Sequence, residues 1–193
     1  MNARDYIYNA LHESMYVLEG DIEGLSSYLE MNFDDYFGSA NSQIVENENG
    51  AEVLSEVPNE YVEDKVVCTA EEGREMFSDV RDEVLAEILQ DILESKEGLD
   101  NITENEVEPD EDGVYYPKDE SLTIIINDTP SDTFFYESWM DRIGKFMLDY
   151  CDMERYDIAE VLGCTHYFCD RGTKYNSGRW HETEYTTVYY KKE

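Results

Sequence analysis

"TAEEGREMFSDVRDEVLAEILQDILESK", residues 69–96, places apolar side chains at Met76, Val80, Val84, Ile88 and Ile92, seconded by Phe77, Leu85, Leu89 and Leu93. One apolar residue every four positions predicts an amphipathic helix. Thr69 and Glu72 stand at capping-box spacing before it, and Gly98 follows as a stop signal. A second row runs beside the first. Glu75, Asp79, Glu83, Glu87 and Asp91 also recur every four residues, each one position ahead of an apolar residue. The two rows lie about 100° apart around the helix, so one can face a core while the other faces water. Like charges at this spacing cost an isolated helix roughly 0.2–0.5 kcal/mol per pair. The acid row therefore does nothing for helix stability. It is either a solvated face of an acidic chain or a surface with another purpose.

The same rules read the chain on either side of this helix. Asn2 caps a first helix with Ile7, Leu11, Met15 and Leu18 at helical spacing, ending at Gly20. Asp21 caps a second, with Ile22, Leu25, Leu29, Phe33 and Tyr36 on its inner face and Gly38 at its C-terminal stop. Two helices so closely linked predict an antiparallel hairpin. Residues 38–52 read as a polar loop and 60–68 as a short strand. Beyond the central helix, "ENEVEPDEDGVYYPKDE" (104–120) sets eight carboxylates against one lysine and reads as a loop. "SLTIII" (121–126) is a buried strand. A helix starting between Pro130 and Asp132 turns Phe135, Trp139, Ile143, Phe146 and Tyr150 inward, and "ERYDIAEVLG" (154–163) gives a shorter one. "RWHETEYTTVYYKK" (179–192) alternates like a strand after the turn-rich "DRGTKYNSG" (170–178), which predicts a terminal hairpin. The expectation is one α+β domain over 1–193, with a mainly helical acidic part at 1–112 and a mixed part at 113–193. Acidic helices would pack with a small antiparallel sheet and a C-terminal β-hairpin.

The whole chain carries 47 Asp and Glu against 14 Lys and Arg, a formal charge of -33, yet is 41% hydrophobic and 13% aromatic. Disordered acidic tails lack such aromatic content, so this chain is expected to fold. Its charge is unevenly placed. Residues 1–112 hold 32 acids and 5 bases, whereas residues 161–193 hold 4 and 5. A surface this negative repels nucleic acid and anionic membrane alike. The longest apolar run, "LTIII", is too short to span a bilayer, and the N-terminus lacks the apolar core of a secretory signal. Four cysteines in a chain of this length do not make a secreted disulfide framework, which points to a reducing cytoplasm.

Other chemistry finds weaker footing. Cys151, Cys164, His166, Cys169 and His181 gather near the C-terminus as a zinc candidate. They lack the usual CxxC knuckle, and small buried cysteines are the plain alternative. Residues 108–119 overlay a calcium loop, with Gly113 at its sixth position but Pro117 inside it. Glu63, Asp64 and Lys65 echo part of a nuclease signature on a chain that repels phosphate. His12 reads as an exposed or half-buried helix residue. Phosphate-binding, dinucleotide, metalloprotease and nucleophile-elbow motifs are all missing, so the chain is read as no enzyme and as needing no cofactor.

Duplex DNA presents one negative charge per roughly 1.7 Å of axis. Residues 71–97 hold ten acids on a helix about 40 Å long, one per roughly 4 Å. That is too sparse alone, but other acidic helices and the loop acids Glu106, Glu108, Asp110, Glu111 and Asp112 add to it. A folded surface of fixed carboxylates competes with DNA for a basic groove, aided by electrostatic steering. The binding surface expected from this is Glu75, Asp79, Glu83, Glu87 and Asp91 together with those five loop acids.

In size, acid-to-base ratio and Tyr-studded acidic helices, residues 1–160 resemble the DNA-mimic inhibitors of phages and mobile elements, namely Ocr-like antirestriction proteins and several anti-CRISPR proteins. The resemblance is one of character and transfers no site residue by residue. It implies a bacterial host cytoplasm and a partner with a basic DNA-binding groove. That partner would be a CRISPR effector nuclease of the Cas9 kind, blocked at its DNA- or PAM-reading cleft, or a type I restriction enzyme. An acidic chaperone or adaptor for a basic protein is the competing reading. The inhibitor is expected to be a monomer or simple dimer that binds neither nucleic acid nor membrane.

Overall fold

A computed structural model describes residues 2–56, 64–96, 102–105, 125–126, 139–176 and 179–191, with side chains described except at 125–126, 141, 169–176 and 179–186. The fold is α+β, in two compact units, Met1–Ile88 and Leu89–Glu193, each holding a sheet.

In the first unit, α1 (Ala3–Tyr16) begins at Asn2, whose side chain accepts from the Asp5 N–H at 2.9 Å while the Asp5 carboxylate accepts from the Asn2 N–H at 3.2 Å. This reciprocal box satisfies two donors that the first helical turn leaves open. Ile7, Leu11 and Met15 are fully buried, and Leu18 follows the helix half-buried. The single second helix expected from the sequence is instead three pieces: α2 (Ile22–Ser26), a 3-10 turn (Ser27–Glu30) and α3 (Phe33–Phe37). Asn32 causes the break. Its extended backbone and its box with Asp35 start a fresh helix, because a side-chain cap competes with continuation of the backbone ladder. The restart sets Phe33 edge-on against Phe77, ring centroids 6.0 Å apart. Gly38, at φ +80°, closes α3 in the left-handed conformation that favours glycine.

The stretch expected to be a polar loop carries strands. β1 (Gln43–Glu46) and β2 (Glu52–Ser55) pair antiparallel, and the Asn47 side-chain oxygen accepts from the N–H groups of Asn49 at 2.9 Å and Ala51 at 3.1 Å to shape the turn. β3 (Lys65–Cys68) pairs on the other side of β1, giving the order β2-β1-β3. The expected strand at 60–68 thus contains β3, and its residues 60–63 lie outside the described residues. Next comes α4 (Ala70–Ser95). Val80, Val84, Ile88 and Ile92 are buried along it with Phe77, Leu85 and Leu89, while Met76 and Leu93 are half-buried. The boundary between the units falls within α4, after Ile88.

The second unit contains β4 (Thr103–Glu104), β5 (Ile125–Ile126), α5 (Trp139–Asp149), α6 (Arg155–Val161), β6 (His166–Asn176) and β7 (Arg179–Tyr190). Its sheet runs β4-β6-β7-β5, parallel between β4 and β6 and antiparallel elsewhere. Glu104, expected in a loop, belongs to β4. β6 takes in most of the expected 170–178 turn, with its register shifting between Arg171 and Thr173. The terminal hairpin is therefore longer than its turn residues suggest. Among the described side chains of α5, Ile143 and Met147 are fully buried, one turn apart. Tyr150 lies just past the helix, 50% exposed, with its ring stacked 4.9 Å from Phe146. Of the row expected inward, Ile143 is buried, Trp139 and Phe146 are half-buried and Tyr150 is exposed, and the second buried side chain is Met147. Residues 121–124 and 130–135 lie outside the described residues. The Lys96 ammonium donates to the carbonyls of Glu160 at 3.0 Å and Val161 at 2.5 Å, in the last turn of α6. Burial lowers the pKa of this ammonium.

Candidate functional site

The acid row of α4 meets α1 over part of its length. The Arg4 guanidinium pairs with Glu83, and the Tyr8 hydroxyl donates to Glu87. Both pairs are separated by 79 residues, so the two helices run in the same direction at this contact. Arg4 and Tyr8 share a face of α1 for the same reason that Glu83 and Glu87 share one of α4: each pair is four residues apart. Along the same side of α1, Tyr8, His12 and Tyr16 stack in a column with centroids 5.8 and 5.9 Å apart. His12 is half-buried within it.

The structure thus divides the row. Glu83 is half-buried and ion-paired, and Glu87 is exposed and hydrogen-bonded. Glu75 and Asp79 are exposed and line a hollow of about 350 Å³ together with Ala3, Val67, Cys68, Glu72 and Met76. Asp91 is exposed in the second unit. Glu106, Glu108, Asp110, Glu111 and Asp112 lie outside the described residues. At the hollow, the Glu72 carboxylate is held below its usual pKa range, first by the Thr69 N–H at 2.9 Å and then by the Thr69 hydroxyl at 3.0 Å. The Cys68 thiol is pushed up to about 11, by burial first and then by the Glu72 charge.

Every Lys and Arg of the first unit is already paired. Arg4 meets Glu83, Lys65 meets Glu46 at 3.0 Å, Arg74 grips Asp34 at 2.9 Å, and Arg81 meets Asp82 at 2.7 Å. Arg74 reaches both carboxylate oxygens of Asp34. Residues 1–88 hold 22 Asp and Glu against these four cations, a net charge of -18. Among the described residues of this unit, each lysine and arginine side chain thus stands beside a carboxylate.

Lys65, part of the nuclease-like triplet, pairs with Glu46 across the β1–β3 ladder. Cys164 is buried, its thiol pushed up to about 11 chiefly by burial. His166 stacks on Tyr190 at 5.1 Å, and its Nδ1 lies 2.7 Å from the Thr165 hydroxyl. Among the described residues no three His, Cys, Asp or Glu side chains gather to hold a metal ion. The side chains of Cys169 and His181 and the calcium-loop candidate at 108–119 lie outside those residues. No helix there is long and apolar enough to cross a membrane.

Sequence reasoning missed Arg4 and Tyr8 as neighbours of the acid row. Arg4 and Tyr8 were findable in part, since they lie one helical turn apart on α1. What the sequence lacks is any sign that α1 docks against α4 rather than only against the helix that follows it. Comparison with protein-family models, curated proteins and solved structures found no match.

Proposed function

We propose that the chain is a DNA-mimic inhibitor of a DNA-binding bacterial defence enzyme, occupying the basic cleft that otherwise holds duplex DNA. The observation that carries this reading is the pairing of Arg4, Lys65, Arg74 and Arg81 with carboxylates, in a unit whose sequence carries a net charge of -18. An acidic surface interrupted by free cations would repel a basic groove locally, and among the described residues of this unit every lysine and arginine is paired with a carboxylate. Carboxylates fixed on a packed helix also lose little freedom on docking, which favours association. A CRISPR effector nuclease of the Cas9 kind, or a type I restriction enzyme, has a groove of the required sign.

The test is competition. Bound to an immobilised effector, the chain is displaced by excess duplex DNA, and it blocks cleavage competitively with target DNA. Glu75→Gln, Asp79→Asn and Asp91→Asn together leave the Arg4–Glu83 and Tyr8–Glu87 contacts in place. They are expected to weaken inhibition roughly tenfold or more, since charge pairs at a desolvated interface couple by about 1.5 kcal/mol or more each. The matched control is Glu13→Gln, Glu19→Gln and Glu48→Gln, with inhibition within about threefold of the parent. Full inhibition by the α4 variant, or equal weakening by both, overturns mimicry through this helix. Indiscriminate binding to many basic proteins, undisplaced by DNA, supports an acidic chaperone instead.

A further inference from the structure

The hollow beside α4 differs from the rest of the acidic face in its lining. Ala3, Val67 and Met76 are half-buried and Cys68 is buried along it, while Glu72, Glu75 and Asp79 stand exposed around it. Val67 and Cys68 come from β3, Ala3 from the first turn of α1, and the others from the first three turns of α4. At about 350 Å³ it lies at the lower end of small-ligand sites. That is room for one long side chain rather than a peptide segment.

We propose that this hollow receives an arginine side chain of the basic partner, an inference that takes its partner from the mimic reading. Arginine fits both halves of the lining. Its methylene stem lies on apolar surface while its planar fork addresses more than one carboxylate, and its charge is more weakly hydrated than that of lysine. Glu75 and Asp79, one helical turn apart, offer two carboxylates on one face of α4. The protein's own cations are directed elsewhere: Arg4, next to Ala3 in the chain, pairs with Glu83, and Arg74 pairs with Asp34. The hollow thus adds shape selection to a surface whose other carboxylates select by charge alone.

The experiment titrates the isotope-labelled full-length chain with N-acetyl-arginine amide and, separately, N-acetyl-lysine amide. Resonances of Val67, Met76 and Asp79 are followed. Arginine is expected to give saturable shifts centred on these residues, with affinity at least about threefold above that of lysine. Ala3→Leu and Val67→Phe fill the hollow at unchanged net charge, and either one, confirmed folded by its melting curve, should abolish the centred shifts. Shifts spread evenly over the acidic surface, or equal affinity for the two amides in the unmodified chain, overturn the proposal. So does arginine binding that persists in a folded filling variant. DNA-competitive inhibition that survives filling removes the hollow and leaves mimicry standing. Arginine binding in a chain that never competes with DNA removes mimicry and leaves the hollow.

Discussion

A Cβ at Gly73 would stand 2.5 Å from Cε2 and 2.7 Å from Cζ of Phe33. Glycine inside a helix costs about 0.8–1.0 kcal/mol relative to alanine, so this position gives up helix propensity to let a ring approach. Phe33 has little room to move, being 1% exposed and flanked by Phe37 at 4.8 Å and Phe77 at 6.0 Å. Gly73→Ala is therefore expected to destabilise by about 1–2 kcal/mol despite its better propensity, the ordinary cost of overpacking. Gly73→Ala with Phe33→Leu should recover most of the loss. Urea midpoints check both, and a stabilised single variant would mean that the ring does not sit on the helix.

At the scale of elements, caps decide where helices begin. Asn32→Ala removes the side chain that restarts the helix at Phe33, and a lost cap of this type costs about 1 kcal/mol. Chemical denaturation reads the loss, and no change would argue that the break has another cause. At the start of α4, the Glu72 carboxylate titrates below its ordinary 4.5 because Thr69 donates to its charged form. A depressed carboxylate pKa contributes stability that is present above the unfolded value and lost as pH falls through the folded value. Glu72→Gln should therefore flatten the decline of stability with pH below 4.5. An acid limb as steep as the parent's would remove Glu72 from the explanation. Much at this scale was legible in the sequence. α1 and α4 declared themselves through caps and four-residue apolar spacing, and the acid row of α4 through the same spacing. β1 and β2 did not, because strands of four residues are fixed by their partners and carry no periodicity long enough to read. Asn32 does not show as a break in the sequence because Phe33 and Tyr36 also fit a continuous helix, and only the competition between cap and ladder separates the two. The engagement of Glu83 and Glu87, two of the five acids in the row, is not legible in the sequence because the helix that meets them lies 79 residues away along the chain.

The whole molecule carries -33, and four ion pairs in the first unit, three of them at the surface, do little to offset it. Added sodium chloride screens exposed charges within about 8 Å at physiological strength. The melting temperature is thus expected to rise as salt goes from a few millimolar to physiological, and a flat or falling curve would show that self-repulsion is not a destabilising term. Salt should act in the opposite sense on binding to a basic groove. The docking of α1 on α4 also has a consequence in time. Arg4 and Tyr8 leave the ribosome 79 residues before the acids they meet. At roughly 5–20 residues per second, that is a wait of about 4–16 s. A helix of 14 residues is marginal without a packing partner. α1 therefore gains its α4 contacts only after α4 has been made, and a nascent chain cut short before Glu87 would keep the Tyr36 contacts to Ala10 and Ser14 while Tyr8 lacked its acceptor.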